Sequence, residues 1–463
     1  MGLAQISLHI LDSYSAQRSK MILKSKFSIR KGLWSLTILL LVIFSLVQAG
    51  LSAEPQESPL DRGKALIQEL GCTVCHDIKE HDTSVREEAP NLTFEGEIVR
   101  RDWLFAFLKK PYQIRPAIKG RMPDFRLTER EALAITEYLG SLVEGGEPVA
   151  KELRYPRKGS PQEVEAAKKL ITKDYFNCFN CHIQGDKMPA GKSDEWAPDL
   201  TRVRGRINPD FLFKWFQGPD KYRPGIKMPA YLADKDSGPD DILGGDEMKQ
   251  AAALRDYVFS LGKAESFPGY AEAKEKFPDV TIAEGRSLTL RLNCVGCHEI
   301  AVLPEGKKIG PNLTHQGSRV RKDWLIDFLR SPYTIKPEYA LMGSPARMPT
   351  FHFNDAELNA VVEYISRLLV DKEIEQTISP DVALAKTGEK LFSEKRCNNC
   401  HRIGDRPAGI GPDFTTAGKR LLPAWTINFI QHPSHYLDTR MPNLQVSAEE
   451  AKALAAYILG PKR

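Results

Sequence analysis

Four short stretches decide how this chain is read: Cys72-Thr-Val-Cys75-His76, Cys178-Phe-Asn-Cys181-His182, Cys294-Val-Gly-Cys297-His298 and Cys397-Asn-Asn-Cys400-His401. They use all eight cysteines and recur just over a hundred residues apart. The 463 residues therefore divide into four similar modules, where length alone, at ~150 residues per domain, would suggest about three. Apolar residues make up 42% and charged residues 27%, the balance of ordinary globular protein. The formal net charge of +5 lies wholly in residues 1–53, where Arg18, Lys20, Lys24, Lys26, Arg30 and Lys31 face only Asp12. The remaining chain is electrically balanced, which argues against a body that binds nucleic acid.

Two thiols separated by two residues reach the two vinyl groups of one porphyrin as thioethers. The next residue then aims an imidazole at the iron from the same face. C-x-x-C-H is the attachment signature of c-type haem for this reason. Structural zinc sites do not require a histidine after each second cysteine, and a redox-active C-x-x-C needs a thioredoxin-like βαβ surrounding that the sequence lacks. The chain is thus expected to bind four covalent haem c groups through Cys72, Cys75, Cys178, Cys181, Cys294, Cys297, Cys397 and Cys400. Their irons are expected on His76, His182, His298 and His401.

Three further markers follow each motif. The first is Ala89-Pro90-Asn91-Leu92-Thr93, repeated as 197–201, 310–314 and 411–415 with Pro198, Pro311 and Pro412. The second is a helical face ending at proline: Trp103…Phe107-Leu108…Pro111, Phe211…Trp215-Phe216…Pro219, Trp324…Phe328-Leu329…Pro332 and Trp425…Phe429-Ile430…Pro433. Its default reading is core packing, and here the core would include the porphyrin. The third is a basic residue before Met-Pro, at Met122, Met228, Met348 and Met441, about 40–50 residues beyond each motif histidine. A soft thioether suits the axial position opposite histidine and raises the potential of the iron. Met188, Met248 and Met342 lack the register and are read as ordinary packing. Bis-histidine ligation cannot be the common scheme, because none of His9, His81, His315, His352, His432 and His435 falls in the second module. His81 and His315 are the local competitors for an iron.

Gly32 to Ala53 is a run of 22 uncharged residues, which as a helix would reach about 33 Å, one hydrocarbon core. With the positive charge on its N-terminal side, the following domains are expected outside the cytoplasmic membrane, held by this single anchor. Val47-Gln48-Ala49 offers the alternative of signal cleavage, with a start at Met21 and a soluble periplasmic product.

The order of short helix, C-x-x-C-H, Gly/Ala-Pro loop, helix, Met-Pro and closing helix resembles the class I c-type cytochrome domain, four times in tandem. Capping boxes at Thr128…Glu131 and Ser447…Glu450, with a weaker one at Asn354…Glu357, mark the closing helices. The resemblance implies an all-α fold, with cytochrome c-like domains at 60–143, 161–262, 282–369 and 385–461 after the 1–53 segment. Linkers are expected near 144–160, 263–281 and 370–384. It also implies that the carbonyls of Pro90, Pro198, Pro311 and Pro412 accept the Nδ1–H of the proximal histidine. Each iron is then expected between a histidine and a methionine of its own module. Modules one and three share Asp-Trp-Leu-x-x-Phe-Leu-x-x-Pro-Tyr-x-Ile-x-Pro at Asp102–Pro116 and Asp323–Pro337, which suggests duplication of a two-haem unit. With both axial positions filled, the expected role is electron transfer without catalysis, between redox partners such as a membrane respiratory complex and a terminal acceptor. The alternative is a haem enzyme or enzyme subunit, a peroxidase or sulfur-compound oxidase, with one iron lacking its methionine. A redox or gas sensor would need an output domain.

Overall fold

A computed structural model describes residues 57–79, 81, 89–144, 160–233, 238–335, 347–374, 382–405, 410–436 and 441–460. The expected anchor at 1–53, Met342, Arg440 and much of the linkers at 144–160 and 370–384 lie outside these residues. Among the described residues no helix is long and apolar enough to cross a membrane.

The described residues are helical, and their β-type pairing is confined to isolated bridges. The longer helices that frame the modules are α1 (Pro59–Glu69), α2 (Arg101–Lys109), α3 (Glu129–Gly140), α4 (Pro161–Leu170), α5 (Pro209–Gln217) and α6 (Glu247–Leu261). The series continues with α7 (Ile282–Arg291), α8 (Lys322–Arg330), α9 (Asp355–Leu368), α10 (Ala385–Glu394), α11 (Pro423–Gln431) and α12 (Ala448–Leu459). The closing helices α3, α9 and α12 start at capping boxes in which both reciprocal hydrogen bonds are made. A fourth box, Ser160 with Glu163, opens α4. The aromatic helices α2, α5, α8 and α11 stop two residues before proline. The residue before a proline is pushed out of the helical region, and Lys110, Gly218, Ser331 and His432 all have ψ between 64° and 80°.

Packing does not follow the modules in sequence order. One core gathers buried side chains from Leu92 to Ile300. The other joins Leu66, Ile67, Leu70 and Ile78 to residues from Val320 to Ile458. Modules one and three have therefore exchanged halves. Helix α1 of module one packs on α9 of module three, while α7 of module three packs on α3 of module one. Modules two and four each pair their own opening and closing helices, with α4 on α6 and α10 on α12. Where the sequence suggests a tandem row of four domains, the packing of these helices links modules one and three as an interlocked pair. The physical reason is the likeness of modules one and three, which offers each half two similar surfaces to choose from.

The contacts between modules one and two recur between modules three and four. Val99 bridges Ile207 between modules one and two, and Val320 bridges Leu421 between modules three and four. An antiparallel bridge between Asp124 and Thr350 ties these two pairs together. The stretch 263–281, expected as a linker, instead contains the helix Gly269–Lys276, which lies on α2 and α3. Tyr270 donates its hydroxyl to Glu137 at 2.5 Å, and Lys276 pairs with Glu129 at 2.7 Å.

Glycine lets the framing helices cross closely. A Cβ on Gly63 would lie 2.2 Å from the Ala360 oxygen, on Gly285 1.9 Å from that of Ala134, and on Gly388 1.9 Å from that of Ala453. Gly388→Val should force α10 off α12 at a cost of about 1–3 kcal/mol. Chemical denaturation followed by circular dichroism checks this; an unchanged midpoint would contradict the packing.

Candidate functional site

Each C-x-x-C-H is entered through a residue in the left-handed region: Gly71 (φ 65°), Asn177 (φ 49°), Asn293 (φ 60°) and Arg396 (φ 58°). That reversal ends the preceding helix and starts the short turn that carries the cysteines. All eight cysteines are half-buried. Burial pushes the Cys72 and Cys294 thiols up to about 12 and the Cys178 thiol to about 11. Such thiols are not set up as free thiolates for metal binding or disulfide exchange.

The Pro-containing marker forms the opposite wall through an Asx turn. Asn91 accepts from the Thr93 amide at 2.8 Å, Asp199 from Thr201 at 2.9 Å, Asn312 from Thr314 at 2.8 Å and Asp413 from Thr415 at 2.7 Å. The turn presents the proline carbonyl to an imidazole. His182 Nδ1 lies 2.8 Å from the Pro198 oxygen and His401 Nδ1 lies 2.9 Å from that of Pro412, within one module. The other two bonds are exchanged, in place of a tandem pairing of His76 with Pro90 and His298 with Pro311. His76 Nδ1 lies 2.8 Å from the Pro311 oxygen, and His298 Nδ1 lies 2.9 Å from that of Pro90. A carbonyl can only accept, so Nδ1 carries the proton and Nε2 keeps its lone pair. Burial lowers the pKa of all four imidazoles, and brings His298 to about 4, so each ring is neutral and free to bind a metal.

A continuous cavity of about 1480 Å³ is lined by the first three motifs and by Met122, Met228 and Met348, and reaches Pro412 and Arg420 of module four. It exceeds the ~300–1,000 Å³ of an ordinary ligand pocket, as several large planar groups require. Met122, Met228 and Met348 are half-buried against the two cores, and Met441 is half-buried as well. Trp215 donates its indole N–H to the Met228 sulfur at 3.0 Å. In modules one and three the corresponding helix carries its indole one turn earlier, and Trp103 and Trp324 donate to Tyr112 and Tyr333 at 3.1 and 3.0 Å. The competitors expected among the histidines are placed otherwise. His81 Nε2 meets the Tyr364 hydroxyl at 2.7 Å, and His315 is exposed.

The sequence reading passed over a set of arginines five residues beyond the Thr marker, at Arg206, Arg319 and Arg420. Their signal is the shared register in three repeats, broken in module one by Ile98. Arg319 and Arg420 stand together between modules three and four, and burial lowers both, Arg319 to about 10. Arg319 stacks over Trp425 at 5.0 Å, and its Nε has no hydrogen-bond partner among the described residues. Between modules one and two, Arg206 stacks over Trp103 at 5.8 Å, and buried Glu95 pairs with Arg223 at 3.2 Å. Cations facing an apolar cavity fit a porphyrin, whose carboxylates supply the missing anions. Cysteine pairs, neutral imidazoles and thioethers fit its covalent and axial attachment.

A cytochrome c family model matches residues 60–143, 282–369 and 385–461, together more than half of the chain. The chain belongs to the cytochrome c family. No curated protein and no solved structure matches it. Residues 161–262 of this cytochrome lie outside the matched regions. They nonetheless carry the same cysteine pair, His182–Pro198 bond and Asx turn as the rest.

The basic residue before Met-Pro also has a role in this cytochrome. Arg121 donates to the Phe351 carbonyl at 2.8 Å and pairs bidentately with Glu357 at 2.9 Å. Arg347 mirrors it, donating to the Phe125 carbonyl and to Glu131, each at 2.7 Å. Hydrogen bonds from Arg121 hold the Glu357 carboxyl below its usual range. Burial pushes Glu131 up, but Arg347 and the Thr128 cap outweigh it and leave it low. Depressed carboxylates stabilise the fold above the unfolded value of ~4.3, and that contribution is lost as pH falls through the folded value. Acid should therefore loosen the interlocked pair below about pH 4, and Glu357→Gln should flatten that part of the curve. Denaturation midpoints between about pH 3 and 6 check this; identical curves would exclude the ion pair as the cause.

Proposed function

We propose that this cytochrome c is a tetrahaem electron carrier, with haem c on each of the four motifs. Cytochrome c domains support covalent haem c and haem-based electron transfer. The number four and the relay role rest on one observation: the same imidazole-to-proline hydrogen bond occurs at all four motifs, the unmatched second one included. Bound haem supplies one-electron redox chemistry. The chain's residues fix each imidazole through Nδ1, keep it neutral by burial, and set a thioether among the apolar walls. At the second motif Trp215 also orients that sulfur. With such a sulfur also holding the iron, no position would be left for a substrate, which favours a carrier over a catalyst. We place the carrier on the outer side of the cytoplasmic membrane, held by residues 1–53 or released from them. There it would exchange electrons with a membrane respiratory complex and a terminal acceptor.

The expected spectrum of the oxidised protein is low-spin throughout, with the weak charge-transfer band of methionine-ligated ferric haem. Redox titration with spectra on the full chain should resolve up to four one-electron steps. Met228→Ala should abolish one methionine signature and lower one potential. A strong high-spin fraction with peroxide turnover would replace the carrier by an enzyme.

A further inference from the structure

The prolines, the threonines and the helix seams all pair module one with module three. Beside the His76–Pro311 and His298–Pro90 bonds, the Thr314 hydroxyl accepts from the Lys79 amide at 3.2 Å, and the Thr93 hydroxyl accepts from the Ala301 amide at 3.0 Å. The methionines follow. Met348 packs on the core that holds Cys72, and Met122 packs on the core that holds Cys294.

We propose that the haem joined to Cys72 and Cys75 takes its sulfur ligand from Met348, and the haem joined to Cys294 and Cys297 takes its own from Met122. The two axial sets are crossed, so neither module completes a haem site by itself. The assignment rests on the reading of these methionines as axial ligands, and it goes beyond that reading by stating which one serves which motif.

Side-chain matching explains why the exchange is preferred to its alternative. Helices α3 and α7 bury Thr136 and Thr289, each hydroxyl returned to the carbonyl four residues earlier at 2.7 and 2.9 Å. The corresponding places on α1 and α9 are Ile67 and Val362, also buried. Exchange sets threonine with threonine and aliphatic with aliphatic. Pairing within modules would set Ile67 against α3 and Thr289 against α9, mismatching shape and polarity in both seams. Arg130 adds charge specificity, holding Glu284 of α7 at 2.8 Å and Asp279 just before it at 2.9 Å.

The crossing also brings the two motifs together. Val74 occupies the space a Cβ on Gly296 would need, 2.3 Å from its Cγ1. Buried Asn293 donates its amide toward the Val74 carbonyl at 3.4 Å and the Cys75 sulfur at 3.5 Å. The first and third haem sites therefore adjoin through their own attachment turns.

The test removes one haem and asks which methionine falls silent. In the full chain carrying Cys72→Ser and Cys75→Ser, Met348→Ala should leave the remaining methionine-haem bands unchanged, while Met122→Ala should remove one. In the chain carrying Cys294→Ser and Cys297→Ser the two responses should reverse. The opposite pattern would overturn the crossing while leaving methionine ligation intact. No response to either methionine in either background would overturn the ligation itself, and the proposal with it. A second measurement needs no substitution. Carbodiimide treatment of the unaltered holoprotein should link Lys276 to Glu129, detected as a joined peptide by mass spectrometry. Its absence, with links from Lys276 to carboxylates of α9 instead, would overturn the exchange.

Discussion

The structure depends on one hydrogen bond made four times, from an imidazole Nδ1–H to a proline carbonyl. The bond fixes the tautomer, and with it the nitrogen that can bind a metal. It also constrains the chain. The carbonyl must be turned inward, which the Asx turn of each Pro-containing marker achieves, and the imidazole must follow a cysteine turn entered through a left-handed residue. Helices then have only to deliver these two turns to each other. That is why the two turns can come from different modules, as they do at His76 and His298.

Charge is distributed differently at the two ends of this plan. Between modules one and two a buried carboxylate, Glu95, compensates Arg223 beside Arg206. Between modules three and four the equivalent places hold Gln316, Arg319, Ala417 and Arg420, with no carboxylate in the set. Two similar interfaces therefore offer unlike electrostatic surroundings to whatever anionic groups they enclose. In a low-dielectric setting such a difference acts more strongly than the same charges would on the solvent-facing surface.

Much of this was legible in the residues. The four motifs, the proline loops, the aromatic helices and the capping boxes are local features, written within a few residues of one another, and each forms where the spacing puts it. The exchange was not legible, because it depends on which of two similar surfaces a helix selects. Its traces were present but weak: threonines at 136 and 289 against Ile67 and Val362, and a histidine at 81 whose partner is Tyr364. The helix Gly269–Lys276 was masked by its charges, since its partners Glu129 and Glu137 lie far back in the chain. The arginines were missed for another reason. Module one breaks their register with Ile98, so a reading centred on the first repeat does not find them.

The interlocking of modules one and three sets an order on biosynthesis. His76 finds its carbonyl 235 residues further on. At ~5–20 residues per second, a ribosome needs on the order of tens of seconds to cover that distance. The segment from Leu92 to Ile300 can close upon itself as it emerges, while Pro59–Cys75 must wait with its apolar helix face uncovered. A nascent chain of this kind invites the same exchange between two molecules, since either copy could supply the missing half. Holding the first segment back until its late partner arrives would then become a task for whatever receives the emerging chain.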